Sequence, residues 1–204
     1  MVAIKSFYSW LSREGIIKSN PAQKTRFPKT PKHVVEVYSD PEVKEMLLAA
    51  RTIRDKTIIT LFRYTGLRAG ELVSLLPADF DRANRTVKVF GKGSKERVVP
   101  FNGECTQILN QYFAVPEIPY LTQDGVYYMV KAACRKSGVQ FRGLHCFRHT
   151  FATDYLERGG NPLDLMRILG HSSLKMTDHY SQWVASQRAI SNYHRLFDTP
   201  PKEG

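Results

Sequence analysis

The stretch that decides the reading of this chain is His145-Cys146-Phe147-Arg148-His149-Thr150-Phe151-Ala152-Thr153, with its continuation through Leu169-Gly170-His171 to Thr177-Asp178-His179-Tyr180. His145 and Arg148 are three residues apart and His145 and His149 four apart, so on a helix all three project from one face. Two histidines at that spacing also occur in zinc metalloproteases, but there a glutamate directly follows the first. Here that residue is Cys146, and no metal site is expected. For the helix alone, the bland account also stands: two histidines and an arginine satisfied in a packed interior.

Working outward, other segments add chemistry of one kind. Thr65-Gly66-Leu67-Arg68-Ala69-Gly70-Glu71-Leu72 puts Arg68 on a tight turn at a helix entry, with Glu71 three residues on to orient its guanidinium. The planar fork of arginine matches two phosphate oxygens at once. Lys92 and Lys95 fall in Gly91-Lys92-Gly93-Ser94-Lys95, where an ammonium group donates a proton or tracks a nucleic-acid backbone. Tyr180 follows His171 by nine residues, at the end of a short polar segment. A phenol, with its ordinary pKa near 10, needs a base or a strong positive field before it attacks. Two arginines, histidines and a basic turn together point to a phosphate site.

Composition bounds the partner. The 204 residues hold 30 Lys and Arg against 19 Asp and Glu, a net charge of +11, which favours a polyanion such as nucleic acid over an acidic small molecule. Cys105, Cys134 and Cys146 have no CxxC spacing, so neither a disulfide framework nor a four-cysteine zinc site is indicated, and a reducing setting fits. No apolar run approaches the roughly 18 residues of a membrane span, and a soluble, cytoplasmic protein is expected.

The chain divides at its prolines and lysines. Residues 2 to 17 carry Ile4, Phe7, Tyr8, Trp10, Leu11 and Ile16 at near-helical spacing, too little to fold alone. Residues 25 to 35 read as a basic, proline-stiffened linker, and Lys24, Arg26, Lys29 and Lys32 in and beside it are candidate DNA contacts. Ser39-Asp40-Pro41-Glu42 is a capping box that starts a helix running to about Arg51. A second helix covers Asp55 to Tyr64 and stops at Gly66, and a third contains Leu72, Val73 and Leu76. Thr86–Phe90 and Glu96–Pro100 alternate in character around a glycine-rich turn and predict a β-hairpin, in which Arg97 joins Lys95 as a candidate DNA contact. Further helices are expected over Glu104–Phe113, Gly125–Ser137, Leu144–Arg158, Pro162–Leu169 and Ser173–Tyr180. The fold class is α+β, mostly helical with a small antiparallel sheet.

Read in order, TGLRAGEL, GKGSKERVVP, HCFRHTFAT, LGHSS and TDHY resemble the motifs of the tyrosine recombinases, or phage-integrase family, especially Xer-like and mobile-element integrases. The resemblance spans nearly all of residues 33 to 185. It implies the catalytic set Arg68, Lys92, His145, Arg148, His171 and Tyr180, with His149 left to packing or support. It also implies a site-specific DNA recombinase or integrase that cleaves and rejoins strands through a 3′-phosphotyrosine, without metal or other cofactor, as a homo-oligomer, a tetramer on double-stranded DNA. By the same resemblance, residues 1–24 match the end of a helical core-binding domain, 36–185 the catalytic domain, and 186–204 a C-terminal helix and tail exchanged between protomers. The short front implies a naturally short member or a piece of a longer reading frame. Two alternatives share this chemistry or this surface: a type IB topoisomerase-like enzyme that reseals the same strand, and a DNA-binding remnant without activity of its own.

Overall fold

Capping and core burial set the elements of this chain, seen in a computed structural model that describes residues 2–25, 35–91, 96–115, 121–171, 173, 177–178, 180–182 and 184–186. The chain forms two units, Met1–Val34 and Val35–Gly204. In the first, α1 (Val2–Arg13) ends sooner than its apolar pattern suggests, because Gly15 turns left-handed (φ 72°) and Ile16 N–H reaches back to Leu11 O at 3.0 Å. Ile4, Phe7 and Trp10 on this helix are exposed.

The second unit starts on the expected capping box. Ser39 N–H donates to Glu42 Oε2 at 2.8 Å and Ser39 Oγ accepts from Glu42 N–H, opening α2 (Asp40–Ala49). α3 (Ile53–Thr65) buries Ile58, Ile59, Leu61 and Phe62, and closes at Gly66. α4 (Ala69–Val73) is shorter than expected: the Ser74 hydroxyl donates to Glu71 O, ending the helix, and Leu76 lies beyond it, exposed. A single 3-10 turn at Pro77–Asp79 leads into a three-stranded antiparallel sheet of β1 (Phe80–Asp81), β2 (Thr86–Phe90) and β3 (Glu96–Pro100), in that order. Val87 pairs with Val99 and Val89 with Arg97, so the three valines, all fully buried, share the core face with Arg97. Then come α5 (Gly103–Phe113), α6 (Gln123–Ser137), α7 (His145–Glu157) and α8 (Pro162–Leu169). Residues 177–178, 180–182 and 184–186 are helical. The hairpin tip, most of the linker and the expected C-terminal helix lie outside the described residues.

Two apolar clusters form the core, and α7 serves both. Its Cys146 and Phe147 join the larger one, where Phe147 packs on Tyr38 and Phe62 at centroid distances of 4.7 and 5.7 Å. Its Ala152 and Leu156 join a smaller cluster with Val35, Leu165, Leu169, Tyr180 and Val184. Buried Arg63 ties α3 to the other helices, donating to Asp40 at 2.6 Å and Asp154 at 3.0 Å.

Gly66 is the tightest point of this frame. Its φ is +62°, and a Cβ there would lie 2.6 Å from Phe151 Cδ1 and 2.8 Å from Leu169 Cδ2. Gly66→Ala should therefore combine the left-handed penalty with overpacking, roughly 2 to 5 kcal/mol, read as a lower urea midpoint.

Candidate active site

Two helix C-termini frame the site. α3 ends at Gly66 and α8 at Gly170, both left-handed, with φ of 62° and 64°. Arg148, 2% exposed on α7, closes the gap between them: Nη1 donates to Gly66 O at 2.8 Å and Nη2 to Leu169 O at 2.6 Å. A buried cation is thus held at the negative ends of two helices, where terminal carbonyls otherwise lack partners. Burial and then the nearby Arg68 lower its pKa to about 10, which leaves it charged at neutral pH.

Arg68 caps α4 from the next turn. Its backbone N–H donates to Glu71 Oε2 at 2.9 Å and its Nη1 to Glu71 Oε1 at 2.8 Å, while the side chain stays 36% exposed and open to a ligand. Glu71 is buried and also accepts the two-toothed fork of Arg97, Nη1 to Oε1 at 2.9 Å and Nη2 to Oε2 at 2.8 Å. Burial alone would raise the Glu71 pKa, but the hydrogen bonds from Arg97 and Arg68 outweigh it and hold it at about 2. Arg97 completes the link by donating Nε to Ile168 O at 2.8 Å, lying against Gly170, where a Cβ would come within 3.1 Å of Arg97 Cδ.

Arg97, expected at DNA, is held by these partners instead. The guanidinium faces inward and is spent on Glu71 and Ile168, because position 97 shares the core face of β3 with Val99. The alternation of the strand already carried that signal. Lys24 is exposed in the first unit, and Arg26, Lys29, Lys32, Lys92 and Lys95 lie outside the described residues.

His171 follows Gly170, with Nδ1 2.9 Å from Thr177 Oγ1 and its ring stacked nearly parallel on Tyr180, 6.4 Å between centroids. Burial, then the charges of Arg148, Arg68 and Arg97, push its pKa down to about 4, so its imidazole is neutral at pH 7. Tyr180 is 6% exposed. Burial raises its pKa, and the opposing pull of Arg148 and Arg68 does not cancel that. His145 opens α7 at the exposed rim, its pKa lowered by partial burial and then by Arg148 and Arg68. Of the expected set, Arg68 and Arg148 act on His145, His171 and Tyr180 through their charges, and the His171 ring stacks on Tyr180.

His149, which the sequence left to packing or support, stands directly at Tyr180. Its Nδ1 lies 2.7 Å from the Tyr180 hydroxyl, and its ring sits between those of His145 and Tyr180, 5.8 and 5.5 Å from them. The signal available beforehand was its place one turn after His145 on the same face. Among the described residues no group of three or more His, Cys, Asp or Glu is arranged to hold a metal, and no helix is long and apolar enough to cross a membrane.

A mostly helical unit carrying arginines, histidines and a seated tyrosine at two helix ends is the arrangement of a tyrosine recombinase catalytic domain. The chain belongs to the phage integrase family, which matches residues 36–186. It is 32% identical over 231 residues to the tyrosine recombinase XerC of Myxococcus xanthus, covering 95% of this chain and 74% of that protein. The crystal structure of XerA recombinase superposes with a TM-score of 0.70 at 26% identity, covering 95% of this chain and 83% of that one. The XerH site-specific recombinase bound to its palindromic difH substrate, in a post-cleavage complex, shares the fold at a TM-score of 0.70 and 18% identity, and this chain spans 65% of it.

Proposed function

We propose that this chain is a site-specific DNA strand transferase in which Tyr180 attacks a phosphodiester to form a 3′-phosphotyrosine and release a 5′-hydroxyl. The supporting observation is the seating of Tyr180 against α7 and the Gly170-His171 turn, its hydroxyl 2.7 Å from His149 Nδ1 and its ring stacked on His171, with the charges of Arg148 and Arg68 acting on its phenol. Arg68 and Arg148 hold the nonbridging oxygens as negative charge grows on them, the preorganised electrostatic role that usually supplies the largest share of a rate enhancement. Neutral His171 adds an N–H donor, its Nδ1 being paired with Thr177 Oγ1 at 2.9 Å. Lys92 protonates the leaving 5′-oxygen, and His145, which the resemblance offers as a base or proton acceptor around the tyrosine, moves protons from its exposed position at the start of α7. The bond energy is kept in the phosphotyrosine, so a 5′-hydroxyl from a second duplex reverses the step and joins new partners.

In this reading residues 36–185 carry the chemistry, residues 1–24 and the 25–35 linker belong to a DNA-clamping arm, and residues 186–204 dock on a neighbour in a DNA-bound tetramer in the prokaryotic nucleoid. The relatives are recombinases, which favours strand exchange over topoisomerase-like resealing. The test is incubation with a pool of nicked duplexes of randomised sequence, followed by a denaturing gel. A covalent protein–DNA adduct is expected, and its absence with folded, DNA-binding protein leaves only a binding remnant.

Binding itself should be steeply salt-dependent, because neutralising phosphates releases counterions. With about six phosphate contacts, affinity should fall roughly 10³-fold between about 50 and 200 mM salt in a fluorescence anisotropy titration.

A further inference from the structure

We infer that His149 is the proton acceptor for the Tyr180 nucleophile, holding the phenol by its Nδ1 and taking its proton as the tyrosyl–phosphate bond forms. The inference rests on the strand-cleavage reading above and deepens it. Its basis is geometric: Nδ1 lies 2.7 Å from the hydroxyl, within the reach a general base requires. With the ring proton on Nε2, Nδ1 is an acceptor.

The surroundings favour this role. Tyr180 is anchored in the smaller apolar cluster, between α7 and α8 and near Val184, so its ring is held by packing rather than by its hydroxyl. His149 is half-buried on α7, directly after Arg148, which is bound at both helix ends. The same peptide segment thus positions the phosphate-binding guanidinium and the group at the nucleophile. The phenol needs an acceptor, because burial raises its pKa against the pull of the two arginines. Among the described residues, His145 and His171 are the other histidines facing the pair, and the charges of Arg148 and Arg68 bear on Tyr180. His145 sits a turn earlier, at the exposed rim, where it is free to serve water or the leaving strand.

The step balances. The Tyr180 Oη–H bond breaks and its proton passes to His149 Nδ1, Oη–P forms, and P–O5′ breaks. The 5′-oxygen leaves with a proton from the general acid already assigned. In the reverse step the imidazolium returns its proton to the tyrosine as the strand is resealed.

The experiment uses the full chain, with the duplex recovered from the randomised pool resynthesised in two forms, one carrying the natural bridging oxygen and one carrying sulfur in place of the 5′-bridging oxygen. A thiolate leaves without needing a proton, so sulfur rescues a lost leaving-group acid but not a lost base. His149→Ala should slow adduct formation by about 10²-fold or more on both substrates. His149→Asn keeps an acceptor near the Nδ1 position but cannot carry a proton, so it should retain DNA affinity and unfolding midpoint while remaining slow. An unchanged rate in His149→Ala, full activity in His149→Asn, or rescue of either by sulfur would overturn the inference while leaving the strand-cleavage reading intact. No adduct from the unaltered chain would overturn the reading, and the inference with it.

Discussion

Tyr180→Phe is expected to bring covalent capture of DNA below detection, a loss of at least about 10⁴-fold, while the protein stays folded and still binds DNA. The loss is large because no other described group occupies the place of the phenolic oxygen, stacked beside His171 and held at His149. The fold survives because the ring, not the oxygen, does the packing: Tyr180 lies among Ala152, Leu156, Leu165, Leu169 and Val184, and phenylalanine fills the same volume. The hydroxyl's removal leaves His149 Nδ1 one partner short, which on a half-buried ring costs on the order of 1 kcal/mol or less. A denaturing gel reads the chemistry, and anisotropy at fixed salt reads the binding. Adduct formation by Tyr180→Phe at the unaltered rate would mean that another residue is the nucleophile.

What the sequence made legible was what local rules decide. The Ser39 to Glu42 box, the glycine stops at 66 and 170 and the alternation of Thr86–Phe90 each depend on residues within a few positions, and all are found where they were read. The two-residue strand β1 was not legible, since two residues carry no periodicity. The expected catalytic set came from ordered motifs rather than spacing, and the structure brings Arg68, Arg148, His171 and Tyr180 within electrostatic reach of one another. The His149–Tyr180 contact spans 31 positions and exists only because α8 turns back at Gly159 and Asn161 to lay the tyrosine on α7. The place of His149 one turn after His145 puts it on the right face but does not encode the contact. Arg97 is different: the strand pattern pointed inward, but the basic character of the neighbouring turn suggested a surface role. A charged residue on a core face calls for a buried partner, and Glu71 is that partner.

That pairing carries the second large effect. Glu71 is, among the described residues, the one carboxylate that both Arg68 and Arg97 engage, and Arg97 in turn holds the last turn of α8 through Ile168. Glu71→Ala leaves the Arg97 guanidinium, 12% exposed, without its counter-charge, the situation in which breaking a buried ion pair costs about 3 to 5 kcal/mol. Glu71→Gln keeps the shape and removes the charge. Because the folded carboxyl has its pKa lowered from 4.5 to about 2, its contribution is fully present above the unfolded value and is lost as pH falls through the folded one. That shift corresponds to a charge contribution on the order of 3 kcal/mol at neutral pH. Urea unfolding should therefore separate Glu71→Gln from the unaltered chain by about that amount at neutral pH, and the gap should close progressively below the ordinary carboxylate range. A gap that stays constant on acidification would mean that the carboxylate's charge is not what the arginines hold. The same variant should slow adduct formation, because Arg68 loses the partner that aims it and the Gly170-His171 turn loses the arginine packed against it.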